Sequence, residues 1–148
     1  MGEFGFARGM TPFTAEFRAA FADTDAAGIV HFTTVLFWAE ATEEALFRQL
    51  QLPFLTREGS HLRGFPRVRI ECDYRQPIER GDVVIISLQP AELSEKRLVW
   101  AFTAKVAGRE VAAGRLTTVY ATRGDDGVLS ALLVPAPVLG RLQEYFKN

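Results

Sequence analysis

Two aspartates one residue apart, Asp23 and Asp25, stand in the stretch FADTDAAGIVHF at positions 21–32, which turns through Ala26, Ala27 and Gly28 into His31 and a long apolar run. An aspartate ahead of a glycine commonly accepts backbone N–H bonds in a turn. A carboxylate held where a helix begins has a second use, because the unsatisfied N–H groups there can hold a developing oxyanion. Together these groups supply what acyl transfer to water requires where no serine or cysteine nucleophile is at hand, with the carboxylate as base or nucleophile. Spacing alone leaves open which aspartate faces that way. His31 is a candidate second acid–base group. His61 is the only other histidine, and no carboxylate stands at ligand spacing to either, so no metal site is expected.

Other residues stand out by type. Glu40 falls inside an apolar stretch, where an unpaired carboxylate facing a core would cost several kcal/mol, so an interface or cleft edge is its expected place. Ser94, Lys96 and Arg97 make a basic turn that could grip a ligand phosphate. Of the 12 phenylalanines most are expected in the core, while Phe32, Phe37, Phe65 and the neighbouring Trp38 could line an apolar pocket.

The elements that must position these groups are legible from periodicity. Phe13, Ala15, Phe17, Ala19 and Phe21 alternate as a strand with one face on a core. Thr33 or Thr34 can cap a helix running to Leu50, with Pro53 and Gly59 marking its exit. From Pro66 the period becomes two, with Val68, Ile70, Cys72 and Tyr74 on the core face and Arg67, Arg69, Glu71, Asp73 and Arg75 on the wet one. Strands at 83–88, 98–106 and 110–122 follow in meander-like succession, and the tail PVLGRLQEYFKN reads as a short helix. One long helix with such strands predicts an α+β fold in which a curved antiparallel sheet of at least five strands wraps around the helix.

The 148 residues, 48% apolar, suit one domain spanning 1–148. A formal charge of -1, from 17 basic and 18 acidic residues, gives no electrostatic footprint for nucleic acid or an anionic membrane. Cys72 is the only cysteine, so no internal disulfide can form, and a reducing cytoplasm is the expected location. No signal peptide or membrane span is expected.

DTDAAGIVHF, the helix after it and VRIECDYRQPIERGDVV together resemble the 4-hydroxybenzoyl-CoA thioesterase-like branch of the hotdog superfamily, over roughly Phe13 to Tyr120. The resemblance implies a hotdog fold and hydrolysis of acyl-CoA thioesters without a cofactor. It assigns the catalytic carboxylate to Asp25, leaves Asp23 a structural part, and implies that the backbone N–H groups of Phe32 and Thr33 hold the oxyanion. The substrate-binding set it suggests is His31, Phe32, Trp38, Gly64, Phe65 and Pro66, with Lys96 and Arg97 on the CoA phosphates. Many members carry an H-N-x-x-Y pattern after the turn, whereas this chain reads His31-Phe32-Thr33-Thr34-Val35; the bulk of Phe32 and Trp38 points to an aromatic or otherwise apolar acyl group, of the hydroxybenzoyl or dihydroxynaphthoyl kind. Sites between subunits are implied, and with them a homodimer or homotetramer. The alternatives are a hydratase or dehydratase on the same fold, disfavoured by the Asp25 to His31 spacing, and a non-catalytic acyl-CoA-binding module.

Overall fold

Val35, Trp38, Ala39, Thr42, Glu43, Leu46 and Phe47 recur at intervals of three and four and form the buried stripe of helix α1 (Phe32–Gln49). The computed structural model describes residues 4–147. Around α1 the chain builds β1 (Phe13–Arg18), β2 (Leu55–Glu58), β3 (His61–Gly64), β4 (Arg67–Tyr74), β5 (Val83–Leu93), β6 (Leu98–Val106), β7 (Arg109–Thr118), β8 (Tyr120–Arg123), β9 (Leu129–Leu132) and a second helix, α2 (Ala136–Tyr145). A five-stranded antiparallel sheet has the order β1-β5-β6-β7-β4, and a four-stranded one the order β2-β3-β8-β9. This is the expected α+β arrangement of a hotdog fold, with the long helix packed by its buried stripe against the larger sheet and Phe32 and Phe37 left exposed.

The core lies between helix and sheet. Leu46 and Phe47 from α1 are fully buried with Ile86, Leu88, Trp100, Phe102 and Leu116 from β5, β6 and β7. Each such side chain contributes about 1.5–3 kcal/mol by leaving water. The tail forms the expected helix, and α2 closes one end, with Phe146 just beyond it against Trp100 at 5.9 Å between ring centroids. Gly114 on β7 lets strands and core approach: a Cβ there would meet Glu71 O at 2.2 Å and Phe102 Cζ at 2.5 Å, so no other residue fits without displacement.

Several boundaries differ from the sequence reading. The first strand stops at Arg18, and Phe21 is 76% exposed, because a 3₁₀ turn at Phe21–Asp23 breaks the alternation. The helix starts at Phe32, and its cap is His31, with neither Thr33 nor Thr34 in that role. The strand expected over 110–122 divides into β7 and β8 at Val119, whose N–H donates to Pro66 O at 3.3 Å. The polar hairpin of β2 and β3 carries no apolar alternation and was not anticipated; Gly59, at φ 60°, lies in its turn.

β4 is the instructive correction. It pairs with β7 and not with its sequence neighbour β5, which leaves it at the sheet edge. Its supposed core face is largely open, with Val68 59%, Ile70 46% and Tyr74 47% exposed. An edge strand with unpaired backbone groups and bare apolar side chains calls for a cover.

Where β4 begins, Arg67 Nη1 donates to both carboxylate oxygens of Glu43, at 3.1 and 2.9 Å. Glu43 is fully buried, and burial, only partly offset by Arg67, pushes its carboxyl up to about 7. Glu40, the carboxylate that stood out in the sequence, lies one turn earlier on α1 and is exposed.

Candidate active site

Asp23 and Asp25 belong to one tightly bonded turn. Asp23 Oδ2 accepts the Ala20 N–H at 2.8 Å, closing the 3₁₀ turn, while the Asp23 carbonyl accepts the His31 N–H at 2.8 Å. From Thr24 to Val30 the chain makes a small loop: Asp25 N–H donates to Ile29 O at 2.8 Å and Gly28 N–H to Asp25 O at 3.0 Å. Gly28 sits at φ 81°, a conformation that side chains resist, so glycine is required to bring the chain back toward the helix. The loop is anchored to the chain ahead of β5 by Val30 N–H to Ile78 O at 2.8 Å.

Asp25 lines a cleft of about 530 Å³ whose walls include Ile29, Val30, Phe32, Val35, Ile78 and Val111, with Tyr74, Arg75 and Gln76 along one side. Its carboxylate is exposed; Oδ1 accepts the Ala27 N–H at 2.8 Å, which fixes its direction and leaves Oδ2 without a hydrogen bond among the described residues. The start of α1 shares the cleft. Phe32 N–H, the first amide of the helix, has no partner among the described residues. Thr33 N–H is engaged: it donates to His31 Nδ1 at 3.3 Å, and Thr33 Oγ1 lies 2.7 Å from the same nitrogen. His31 is therefore the helix cap, with its ring 4.5 Å from that of Phe32, and the nitrogen facing the helix is committed to that task. Of the two expected amides only that of Phe32 is free among the described residues, and Phe32 lines the cleft.

The other expected site residues separate into three places. Trp38 is 8% exposed and stacked on Phe17 at 5.7 Å and 20°, a core pair that does not reach the cleft. Gly64, Phe65 and Pro66 line a second, mainly apolar groove of about 330 Å³ with Phe54, Leu62 and Leu129. Phe65 there packs on Phe47 at 5.4 Å and Tyr120 at 5.0 Å. Lys96 and Arg97 occupy the turn between β5 and β6, beside the start of β4: both Leu98 and Arg67 face Thr118, whereas Tyr74 faces Ala112. Six residues of strand put that turn roughly 20 Å from the Asp25 end of the sheet. Arg97 is moreover paired, its Nε and Nη2 each 2.9 Å from Glu92 Oε2. A single chain thus brings together Asp25, Phe32 and the unforeseen Tyr74, and leaves Gly64–Pro66 and Lys96–Arg97 at a distance.

Tyr74 donates its hydroxyl to Phe32 O at 2.6 Å. Burial, reinforced by the Cys72 thiol, raises its pKa well above the ordinary phenol value, so the hydroxyl stays a donor at neutral pH. Burial likewise raises the Cys72 thiol, which makes it a poor nucleophile. Among the described residues no group of three or more His, Cys, Asp or Glu side chains is placed to hold a metal ion, and no helix is long and apolar enough to cross a membrane.

A sequence profile of the thioesterase superfamily matches residues 27–113, from just after Asp25 through β6 and into β7. A 1,4-dihydroxy-2-naphthoyl-CoA hydrolase of Synechococcus sp. (strain CC9605) is 38% identical over 85 residues, 53% of this chain and 56% of the relative. One of the same name from Prochlorococcus marinus (strain NATL1A) is 32% identical over 98 residues, 62% of this chain and 65% of the relative. The chain thus spans between about half and two thirds of these relatives. Among solved structures, a 1,4-dihydroxy-2-naphthoyl-CoA thioesterase from Synechocystis superposes with a TM-score of 0.74 at 20% identity, covering 92% of this chain and 98% of the other. A gentisyl-coenzyme A thioesterase superposes at 0.73 with 24% identity, covering 87% and 98%. At these identities the structural likeness speaks for the fold.

Proposed function

We propose, for a chain that belongs to the thioesterase superfamily, that it hydrolyses an acyl-CoA with an aromatic acyl group to the free acid and CoA, using Asp25 as the catalytic carboxylate. The observation that carries this reading is the pairing, in one largely apolar cleft, of an exposed, oriented carboxylate with the free Phe32 N–H at a helix start. The thioester carbonyl sits with its oxygen toward that amide. Asp25 either attacks the carbonyl carbon itself or takes a proton from a water that does. The C–S bond then breaks, the sulfur leaves as CoA thiolate and takes up a proton, and in the first route water hydrolyses the mixed anhydride. No cofactor enters the reaction, and we expect it in the cytoplasm.

The apolar walls suit a flat aromatic acyl group. The names of the relatives, which describe naphthoyl-, gentisyl- and hydroxybenzoyl-CoA enzymes, support the same substrate class. His31 is not among the residues that line the Asp25 cleft, which weighs against the hydratase alternative, where the histidine must reach the substrate.

Completion of the site calls for a second copy. Antiparallel, two-fold pairing of β4 with the β4 of another chain covers Val68, Ile70 and Tyr74. It also sets the Arg67 end of one strand against the Tyr74 end of the other. Gly64–Pro66 and the Lys96–Arg97 turn of one copy then approach the Asp25 cleft of its partner, where they can hold the acyl group and the CoA phosphates. A homodimer is the smallest unit that meets this geometry, and a tetramer can be built from two of them.

The test is release of free CoA thiol across a panel of dihydroxynaphthoyl-, hydroxybenzoyl-, gentisyl- and short aliphatic CoA thioesters. Highest kcat/KM on an aromatic member supports the reading. Absence of thiol release from every member, or change of an enoyl-CoA without thiol release, contradicts it.

A further inference from the structure

Tyr74 lines the same cleft as Asp25 and Phe32. Its hydroxyl crosses from the end of β4 to the Phe32 carbonyl, a 2.6 Å bond between residues 42 apart in sequence. Phe32 opens α1, where helices fray because the first amides lack partners within the helix. The cap holding this turn is modest: a histidine nitrogen at 3.3 Å from the Thr33 N–H. A short bond from a separate strand onto the first carbonyl holds the Phe32–Thr33 peptide plane, and through the φ and ψ of Phe32 it restrains the preceding peptide, which carries the free Phe32 N–H.

We propose that Tyr74 is a positioning residue that pins the first peptide of α1, so that the Phe32 amide is held in the direction the oxyanion requires. The proposal rests on the thioesterase reading of the cleft. A donor stabilises a transition state to the extent that it is oriented beforehand, and an amide free to swing loses part of that advantage without affecting ground-state binding. The hydroxyl is suited to a permanent tether, since its partner is a carbonyl and its partly buried setting keeps it protonated. Its place on the edge strand also means that whatever covers β4 buttresses the tether.

Tyr74→Phe removes the hydroxyl and keeps the ring, and two readouts decide its role. For hydrolysis of the best aromatic acyl-CoA, kcat should fall on the order of tenfold while KM stays within about twofold, since only the transition state is affected. In the enzyme without substrate, amide hydrogen exchange of the peptide spanning 28–36 should accelerate severalfold, with no change in β5, β6 or β7. A purely structural role would lower the melting temperature and leave kcat unchanged. Unchanged kcat in a folded variant, or unchanged exchange over 28–36, overturns the proposal. If Tyr74→Phe does not fold, Tyr74→Met removes the hydroxyl for the same two measurements. Because exchange is read without substrate, absence of thiol release by the unaltered protein would overturn the function, while exchange in the variant would still decide the tether.

Discussion

Asp23 and Asp25, separated only by Thr24, direct their carboxylates to different tasks: Asp23 Oδ2 closes the turn on Ala20 N–H, and Asp25 Oδ1 is held by Ala27 N–H at the cleft. The same short stretch thus carries both its own brace and the carboxylate we propose as the reactive group. Asp23→Ala should lower stability by about 1 kcal/mol through the lost bond to the backbone and leave kcat within about threefold, since the brace touches no substrate. Denaturant melts alongside steady-state assays check both.

Glu43 makes stability depend on pH. Its folded-state pKa, raised from 4.5 to about 7, lies above that of the unfolded chain, so the folded form binds the proton more tightly. Its contribution is therefore fully present below about pH 4.5 and is lost as pH rises through 7. The unaltered protein should lose on the order of 2 kcal/mol from this group between pH 5 and pH 8. In Glu43→Gln that loss should disappear, a flattening readable by urea denaturation at the two pH values.

The open face of β4 makes a prediction about assembly. Ile70→Lys places a charge on an apolar strand face that is 46% exposed in the single chain, so it should cost the monomer little. Light scattering at micromolar concentration should then report a dimer or tetramer for the unaltered protein and a monomer for the variant, with thiol release lost in parallel.

Lys96 and Arg97 differ in what they have to offer a phosphate. Arg97 is already neutralised by Glu92, whereas Lys96 is exposed on the same turn. Lys96→Ala should raise KM severalfold at low salt with kcat little changed, because phosphate binding far from the carbonyl acts alike on ground and transition states. Arg97→Ala should have the smaller effect.

Much of this architecture was readable from periodicity. The helix from 32 to 49 and the alternation in β4, β5 and β6 all follow from spacing of apolar residues. Where reading failed, the physics was not local. Val68 and Ile70 alternate like core residues yet are exposed, because a period of two marks an apolar face without specifying what covers it. Trp38 was expected near substrate because its helix opens at the site, yet packing against Phe17 turns it inward. The buried carboxylate is Glu43 rather than Glu40, a matter of helical phase by three residues that composition does not reveal. The His31 cap and the Tyr74 bond join side chain to backbone across a turn and across 42 residues, and neither leaves a mark on hydrophobic spacing.

The central claim is that Asp25 does the chemistry, and turnover of Asp25→Asn on the best aromatic acyl-CoA tests it most directly. The substitution keeps the size of the side chain and the acceptor for Ala27 N–H while removing the charge. The account predicts a kcat lower by a factor on the order of 100 or more, with melting temperature and CoA affinity retained. Near-unaltered kcat in a folded Asp25→Asn protein would contradict it.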